Sequence, residues 1–177
     1  MAAKEHRDHK RMKTKCSRLL FVCMGNICRS PCAEGVMLKK VEQAGLSDCI
    51  HIDSAGTGGW HAGDAADNRM RRHAKARGYS LDSLARQVRP SDFEDFDLIL
   101  VMDQQNLRDI RPFAPDEAAM KKVRLFCEFA KGRSEKQVPD PYYGGDAGFE
   151  QVLDIIEDGC THLIECLKAT AAAPCSD

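Results

Sequence analysis

No stretch of this 177-residue chain is apolar for long enough to cross a bilayer, and its charges nearly balance, at a formal net charge of -1. The first absence removes a membrane span. The second removes any general case for nucleic acid or an anionic membrane surface as partner. Residues 1–18 are polar and lack the apolar core of a secretory signal. Paired Cys-x-x-Cys spacing is also missing, and the nine cysteines are an odd number, which argues against both a disulfide framework and a structural zinc site. No metal or cofactor is called for, and a reducing, cytoplasmic setting is the expectation. The length suits one domain with a sizeable core.

What is present is organised around one stretch, Leu19-Leu20-Phe21-Val22-Cys23-Met24-Gly25-Asn26-Ile27-Cys28-Arg29-Ser30-Pro31. Leu19 to Val22 read as a buried strand, bounded by charge on the N-terminal side. Ser30 suits a helix N-cap and Pro31 the first helical position. Ala33, Val36, Met37, Val41 and Ala44 then recur at helical spacing until Gly45 closes the segment. The loop from Cys23 to Arg29 thus ends at a helix N-terminus, where successive N–H groups and the helix dipole can converge on an anion.

A nucleophilic cysteine needs such surroundings. A free thiol, near pKa ~8.5, is mostly protonated at neutral pH, whereas helix N-termini and adjacent cations bring reactive thiols to roughly 3.5–7.5. Arg29 offers a cation and a planar fork of donors that matches two phosphate oxygens. Ser30 can donate a hydroxyl proton to the sulfur, and Asn26 carries both a donor and an acceptor with which to brace the loop.

The bare spacing proves little. In a chain with nine Cys and 14 Arg, a Cys followed six positions later by Arg arises roughly 0.7 times by chance, so context must decide. A second copy, Cys127 to Arg133, does occur. Glu128 would face the anion there and no helical period follows, so it reads as a strand end leading into a surface loop.

Elsewhere, residues 1–16 form a basic segment expected to be a disordered tail, with His6 and His9 as adventitious metal binders at most. Cys49 to Ala55 alternates as a second strand. Thr57 to Gly63 is a glycine-rich loop displaying Trp60, either a core residue or the wall of a ligand pocket, and His61, read as a surface residue. Asp64 to Gly78 reads as a basic helix whose arginines form a solvated face. Ser91 or Asp92 caps a short turn. Phe96 to Asp103 is a third, fully buried strand, Asn106 to Ile110 a short helical piece and Lys122 to Phe126 a fourth strand. Val138 to Gly145 is a proline- and glycine-marked loop, and Asp146 caps a last helix with Phe149, Val152, Leu153, Ile156, Leu163, Ile164 and Leu167 on its apolar stripe.

The alternation of strands and helices predicts a single-domain α/β fold: a four-stranded parallel sheet with helices on both faces, Rossmann-like, and Cys23 at the carboxyl end of strand 1, where such sheets bind ligands. Asp140, in its Asp-Pro loop, is either a turn residue or a carboxylic acid on the pocket rim, able to protonate a departing oxygen.

Val22 to Pro31 and Asp140-Pro141-Tyr142-Tyr143-Gly144 closely resemble the low-molecular-weight protein tyrosine phosphatases; Asp53-Ser54-Ala55, Ala85-Arg86-Gln87 and Met102 to Leu107 fall where that family would put them. The resemblance implies a phosphatase domain over residues 17–170, with residues 171–177 a flexible end. It implies metal-free, two-step phosphoryl transfer with Cys23 as nucleophile, Arg29 as phosphate clamp and Asp140 as general acid, then general base. Met24, Gly25, Asn26, Ile27, Cys28 and Ser30 would complete the phosphate loop, and Ser54 would support it. Trp60, Tyr142 and Tyr143 would wall a slot for a phenyl ring, the tyrosines being themselves phosphorylated in some members. Cys28 matches a cysteine that traps oxidised Cys23 as a reversible disulfide, or else is a small packed thiol. The implied partners are tyrosine-phosphorylated proteins and inorganic phosphate, as product and inhibitor; the sequence leaves the oligomeric state unknown, with a monomer favoured.

One residue departs from the pattern: Ser83 stands where animal members usually carry a histidine in the loop-bracing network. Other readings also remain open. Arsenate reductases of this fold need a closely spaced cysteine pair, which Cys160 and Cys166 do not supply in the expected place. Related arginine phosphatases carry Thr where this chain has Ile27. An inactive phosphate-binding module would not need Cys23, Arg29 and Asp140 together.

Overall fold

The computed structural model describes residues 16–172. Most of the basic segment, with His6 and His9, and residues 173–177 lie outside them.

Four strands, β1 (Ser17–Cys23), β2 (Ile50–Gly56), β3 (Leu98–Val101) and β4 (Val123–Leu125), form one parallel sheet in the order β2-β1-β3-β4. Leu19 to Cys23 are all buried, as expected of a central parallel strand covered on both faces. The pleat divides them. Leu19, Phe21 and Cys23 pack with one apolar cluster, and Leu20 and Val22 with the other.

The first cluster is covered by α1 (Arg29–Gln43), α2 (Asn68–Ala76) and the long α6 (Asp146–Ala172). The second lies under α3 (Asp92–Asp95), α4 (Gln104–Asp109) and α5 (Glu117–Met120). Phe21 meets Phe126 edge to face, with ring centroids 6.0 Å apart, an arrangement worth about 0.5–1.5 kcal/mol beyond the area it buries. At the end of α1, Gly45 takes φ 68°, and the N–H groups of Gly45 and Leu46 close back onto Glu42 and Val41. That double closure needs a left-handed residue, hence glycine.

Several expected details shift. Ser30 is not the N-cap of α1; Cys28 occupies that position, without a side-chain cap, because the Ser30 hydroxyl is taken up by a tertiary partner. Pro31 consequently falls at the third helical position rather than the first, still among the first four residues whose N–H groups have no helical acceptor. The basic helix begins at Asn68 rather than Asp64: Ala65 bridges Leu84, and Asp67 accepts from the Arg69 N–H as N-cap. Its arginines are not a uniformly solvated face, since Arg77 pairs with Glu150, Asp154 and Glu157 on α6. The α3 turn starts after Ser91 without a side-chain cap; the Asp92 carboxylate instead accepts from the Arg89 N–H and from Arg86. Asp146 opens α6 and gives its carboxylate to Arg72 and His73.

Candidate active site

Strand β1 ends at Cys23, and the chain passes through residues 24–28 into α1. Among the described residues, the backbone N–H groups of Gly25, Asn26, Ile27, Cys28 and Arg29 donate to no other group of the chain. A tight loop with so many free donors at a helix N-terminus is suited to an anion. Asn26 adopts φ 55°, a left-handed conformation that Asn tolerates better than most side chains, and it pins the loop in place. Its Nδ2 donates to Ser30 Oγ at 2.8 Å and Ser54 Oγ at 2.9 Å, while its Oδ1 accepts from the Arg86 N–H at 3.0 Å.

Ser30 Oγ lies 3.0 Å from Cys23 Sγ. A hydroxyl at that distance can solvate sulfur directly. Behind Ser54 the network reaches Glu34, whose Oε2 accepts from Ser54 Oγ at 2.5 Å and from Ser83 Oγ at 2.8 Å. Burial raises the Glu34 pKa and outweighs those two bonds, which lower it; Asp53 adds to the rise and Arg86 opposes it. The departure noted at Ser83 therefore changes the chemistry of the network without breaking it: a neutral hydroxyl, not an imidazole, faces the carboxyl group.

Arg29 is 2% exposed. Its Nη1 donates to Asp103 Oδ2 at 2.5 Å and to the Val138 carbonyl at 3.1 Å, and its Nη2 to Asp140 Oδ2 at 3.1 Å. Burial alone would lower the guanidinium pKa, but Cys23, Asp103 and Asp140 raise it on balance. Asp140 is brought here because the Val138 N–H continues the end of β3, donating to Met102 O at 2.9 Å. Asp140 Oδ1 also accepts from the Tyr142 N–H at 3.1 Å.

Cys23, Met24, Gly25, Ile27, Cys28, Arg29 and Asp140 line a cavity of about 210 Å³, walled by Trp60, His61, Tyr142 and Tyr143. Trp60 is thus a rim residue and not core; it is 66% exposed, its ring lying over Gly58. His61, read as a surface residue, keeps partial exposure while it packs against Gly25 and pairs with Asp64 at 3.0 Å. Its position beside Trp60 in a glycine loop was the available signal. Cys28 is buried, and burial first, then the charges of Asp67, Cys23 and Asp140, push its thiol well above the ordinary range.

The second Cys-x5-Arg copy builds nothing comparable. Cys127 falls in a short turn after β4, burial pushes its thiol up to about 11, and Arg133 pairs with Glu135. Among the described residues, no group of three or more His, Cys, Asp and Glu side chains is placed to hold a metal ion, and no helix is long and apolar enough to cross a membrane.

Five unpaired amides in a loop at a helix N-terminus, a buried arginine beside them and a thiol at the preceding strand end mark a candidate anion-binding loop in a protein of the parallel α/β class. The sequence pattern of the low molecular weight phosphotyrosine protein phosphatase family matches residues 18–173, and the chain belongs to that family. A low molecular weight protein-tyrosine-phosphatase of Streptomyces coelicolor is 46% identical, over 85% of this chain and 93% of its own. One from Bacillus subtilis is 39% identical over 85% and 95%. The crystal structure of a protein tyrosine phosphatase from Entamoeba histolytica superposes with a TM-score of 0.83 at 45% identity, covering 86% of this chain and 97% of that one.

Proposed function

We propose that the chain hydrolyses phosphotyrosine and other aryl phosphate monoesters through a phosphocysteine intermediate. The observation that carries this reading is the single cavity that holds Cys23, Arg29 and Asp140 beneath aromatic walls. Cys23 Sγ attacks phosphorus as the phosphorus–oxygen bond to the ring breaks, and protonated Asp140 gives its proton to the departing phenolate oxygen. The free amides and the Arg29 fork hold the other phosphate oxygens through the transition state. Asp140, now a carboxylate, takes a proton from water as water attacks the phosphocysteine, which releases inorganic phosphate and the Cys23 thiolate.

Ile27 on the cavity wall and the aromatic rim favour an aryl group over the guanidinium of phosphoarginine. A structure of Vibrio vulnificus Wzb, 26% identical with a TM-score of 0.74, holds benzylphosphonate, an aryl ligand of the kind this slot would take. An arsenate relay gains no support, since Cys160 is buried against the Ala33 carbonyl and Cys166 is also absent from the cavity lining. We further propose a reducing, cytoplasmic setting, because an attacking thiol must stay reduced to turn over. Cys28 would protect it: peroxide oxidises Cys23 to a sulfenic acid, which condenses with the Cys28 thiol to a disulfide and water.

The test is turnover of phosphotyrosine, phosphoserine and phosphoarginine beside arsenate reduction, all in EDTA. Phosphotyrosine should be hydrolysed well ahead of the others, and preferential turnover of any other substrate overturns the assignment.

A further inference from the structure

Two loops meet at the cavity, the anion loop and the loop carrying Asp140, and a side chain outside both ties them together. The Asp67 N–H donates to the Ile27 carbonyl of the anion loop at 2.8 Å. The Asp67 carboxylate holds Arg69 through three bonds, from N at 2.8 Å and Nε at 3.1 Å to Oδ1, and from Nη2 at 2.8 Å to Oδ2. So fixed, Arg69 points Nη1 at the Tyr142 carbonyl at 3.0 Å, and its guanidinium carbon sits 5.3 Å from the Tyr142 ring centroid and 5.0 Å from that of Phe149. Tyr142 in turn gives its N–H to Asp140 Oδ1.

We propose that Arg69 is a positioning residue for the proton transfer: clamped by Asp67 at the start of α2, it couples the anion loop to Tyr142 and so sets the carboxyl of Asp140 against the bound ester. This rests on the assignment of Asp140 as the acid. The physical grounds are the planar fork, which holds a carboxylate with two nitrogens and leaves a third for the Tyr142 carbonyl while its face stacks on rings. Lysine has one nitrogen for the same work. The Arg69 side chain is 39% exposed, so its contacts order the loop more than they hold up the fold. An acid displaced by ~1 Å loses catalysis on the order of 10²-fold, and the loss falls on esters whose leaving oxygen needs the proton.

The experiment measures kcat/KM for aryl phosphates of graded leaving-group acidity, from phenyl to dinitrophenyl phosphate, with the wild type, Arg69→Ala, Arg69→Lys and Asp140→Asn. Arg69→Ala should lose about tenfold or more on phenyl phosphate and under about threefold on dinitrophenyl phosphate, tilting the same way as Asp140→Asn by a smaller amount. Arg69→Lys should fall between Arg69→Ala and the wild type. Equal losses on both esters, or none, overturn the coupling. If Arg69→Ala does not fold, Asp67→Asn is read by the same criterion. A steep Asp140→Asn beside a flat Arg69→Ala removes the coupling alone; a flat Asp140→Asn removes the acid assignment and the coupling with it.

Discussion

Asp103 Oδ2 lies 2.5 Å from Arg29 Nη1, with the two side chains 20% and 2% exposed. The cation at the floor of the cavity is therefore neutralised from the end of β3 as well as from the Asp140 loop. Asp103 also accepts from the Asn106 N–H at 2.7 Å, as N-cap of α4, so one carboxylate fixes both a helix start and the guanidinium.

Removing that carboxylate should be felt twice. Asp103→Ala leaves a buried cation short of a counter-charge and a helix without its cap. We expect a stability loss on the order of 2 kcal/mol, below the value for a fully buried pair because Asp103 keeps some contact with solvent. The phosphate inhibition constant should rise with it, because the fork loses its orientation. Urea unfolding and phosphate inhibition check this; a change under ~0.5 kcal/mol with unaltered inhibition contradicts the role given to the pair.

The Glu34 carboxyl supplies a pH dependence of defined sign. Its pKa is raised in the fold above the ordinary 4.5, chiefly by burial, so the folded state holds the proton over a window in which the unfolded chain has lost it. Stability from this group is present below the ordinary carboxylate range and falls as pH rises through the raised value. Glu34→Gln keeps an acceptor for Ser54 and Ser83 while removing the charge. Relative to the wild type, it should gain stability as pH rises from about 4.5, the unfolded value. A wild-type minus Glu34→Gln difference that is flat with pH would refute this.

Gly56 closes β2 directly beneath the anion loop. A Cβ there would come within 2.7 Å of the Met24 carbonyl, 3.0 Å of the Gly58 carbonyl and 3.2 Å of the Asn26 N–H. All three are backbone atoms and have little room to give. Gly56→Ala should cost about 1–3 kcal/mol and depress turnover by displacing residues 24–26. Wild-type unfolding together with wild-type kcat/KM would show that the loop has slack the structure does not suggest.

Cys28 should govern how oxidation ends. After peroxide treatment, the wild type should regain activity on addition of dithiothreitol. Cys28→Ser should lose activity progressively and irreversibly, as Cys23 passes to the sulfinic acid. Equal recovery of the two proteins would leave Cys28 as a packed thiol only.

Much of this was legible in the sequence for reasons that can be named. Leu19 to Val22 announce a buried parallel strand because both faces are covered and no polar alternation survives. Cys23 and Arg29 stand out because an apolar strand, a short loop and a helix period occur in that order around them. What escaped is tertiary. Ser30 carries the local signature of a cap, yet its hydroxyl lies between Cys23 Sγ at 3.0 Å and the Ala55 carbonyl at 3.3 Å, because partners brought in by the fold outcompete the local bond. Asp103 and Glu34 have ordinary surroundings in sequence, and their part in the site comes through residues far along the chain, Arg29 74 positions from Asp103, and Ser54 and Ser83 20 and 49 positions from Glu34. Asp64 to Asp67 carry no breaker that separates them from the helix that follows, and tertiary bonds take them out of it: the bridge between Ala65 and Leu84, the Ala85 N–H to the Asp64 carbonyl and the Asp67 N–H to the Ile27 carbonyl.

The central claim is that Cys23 Sγ becomes covalently phosphorylated during turnover. Rapid acid quench of the wild type with an aryl phosphate, followed by peptide mass spectrometry, should find one phosphoryl group on the peptide containing Cys23. It should be absent from Cys23→Ser, which should still bind phosphate but not turn over. A phosphoryl group on any other residue, or substantial turnover by Cys23→Ser, would contradict the account.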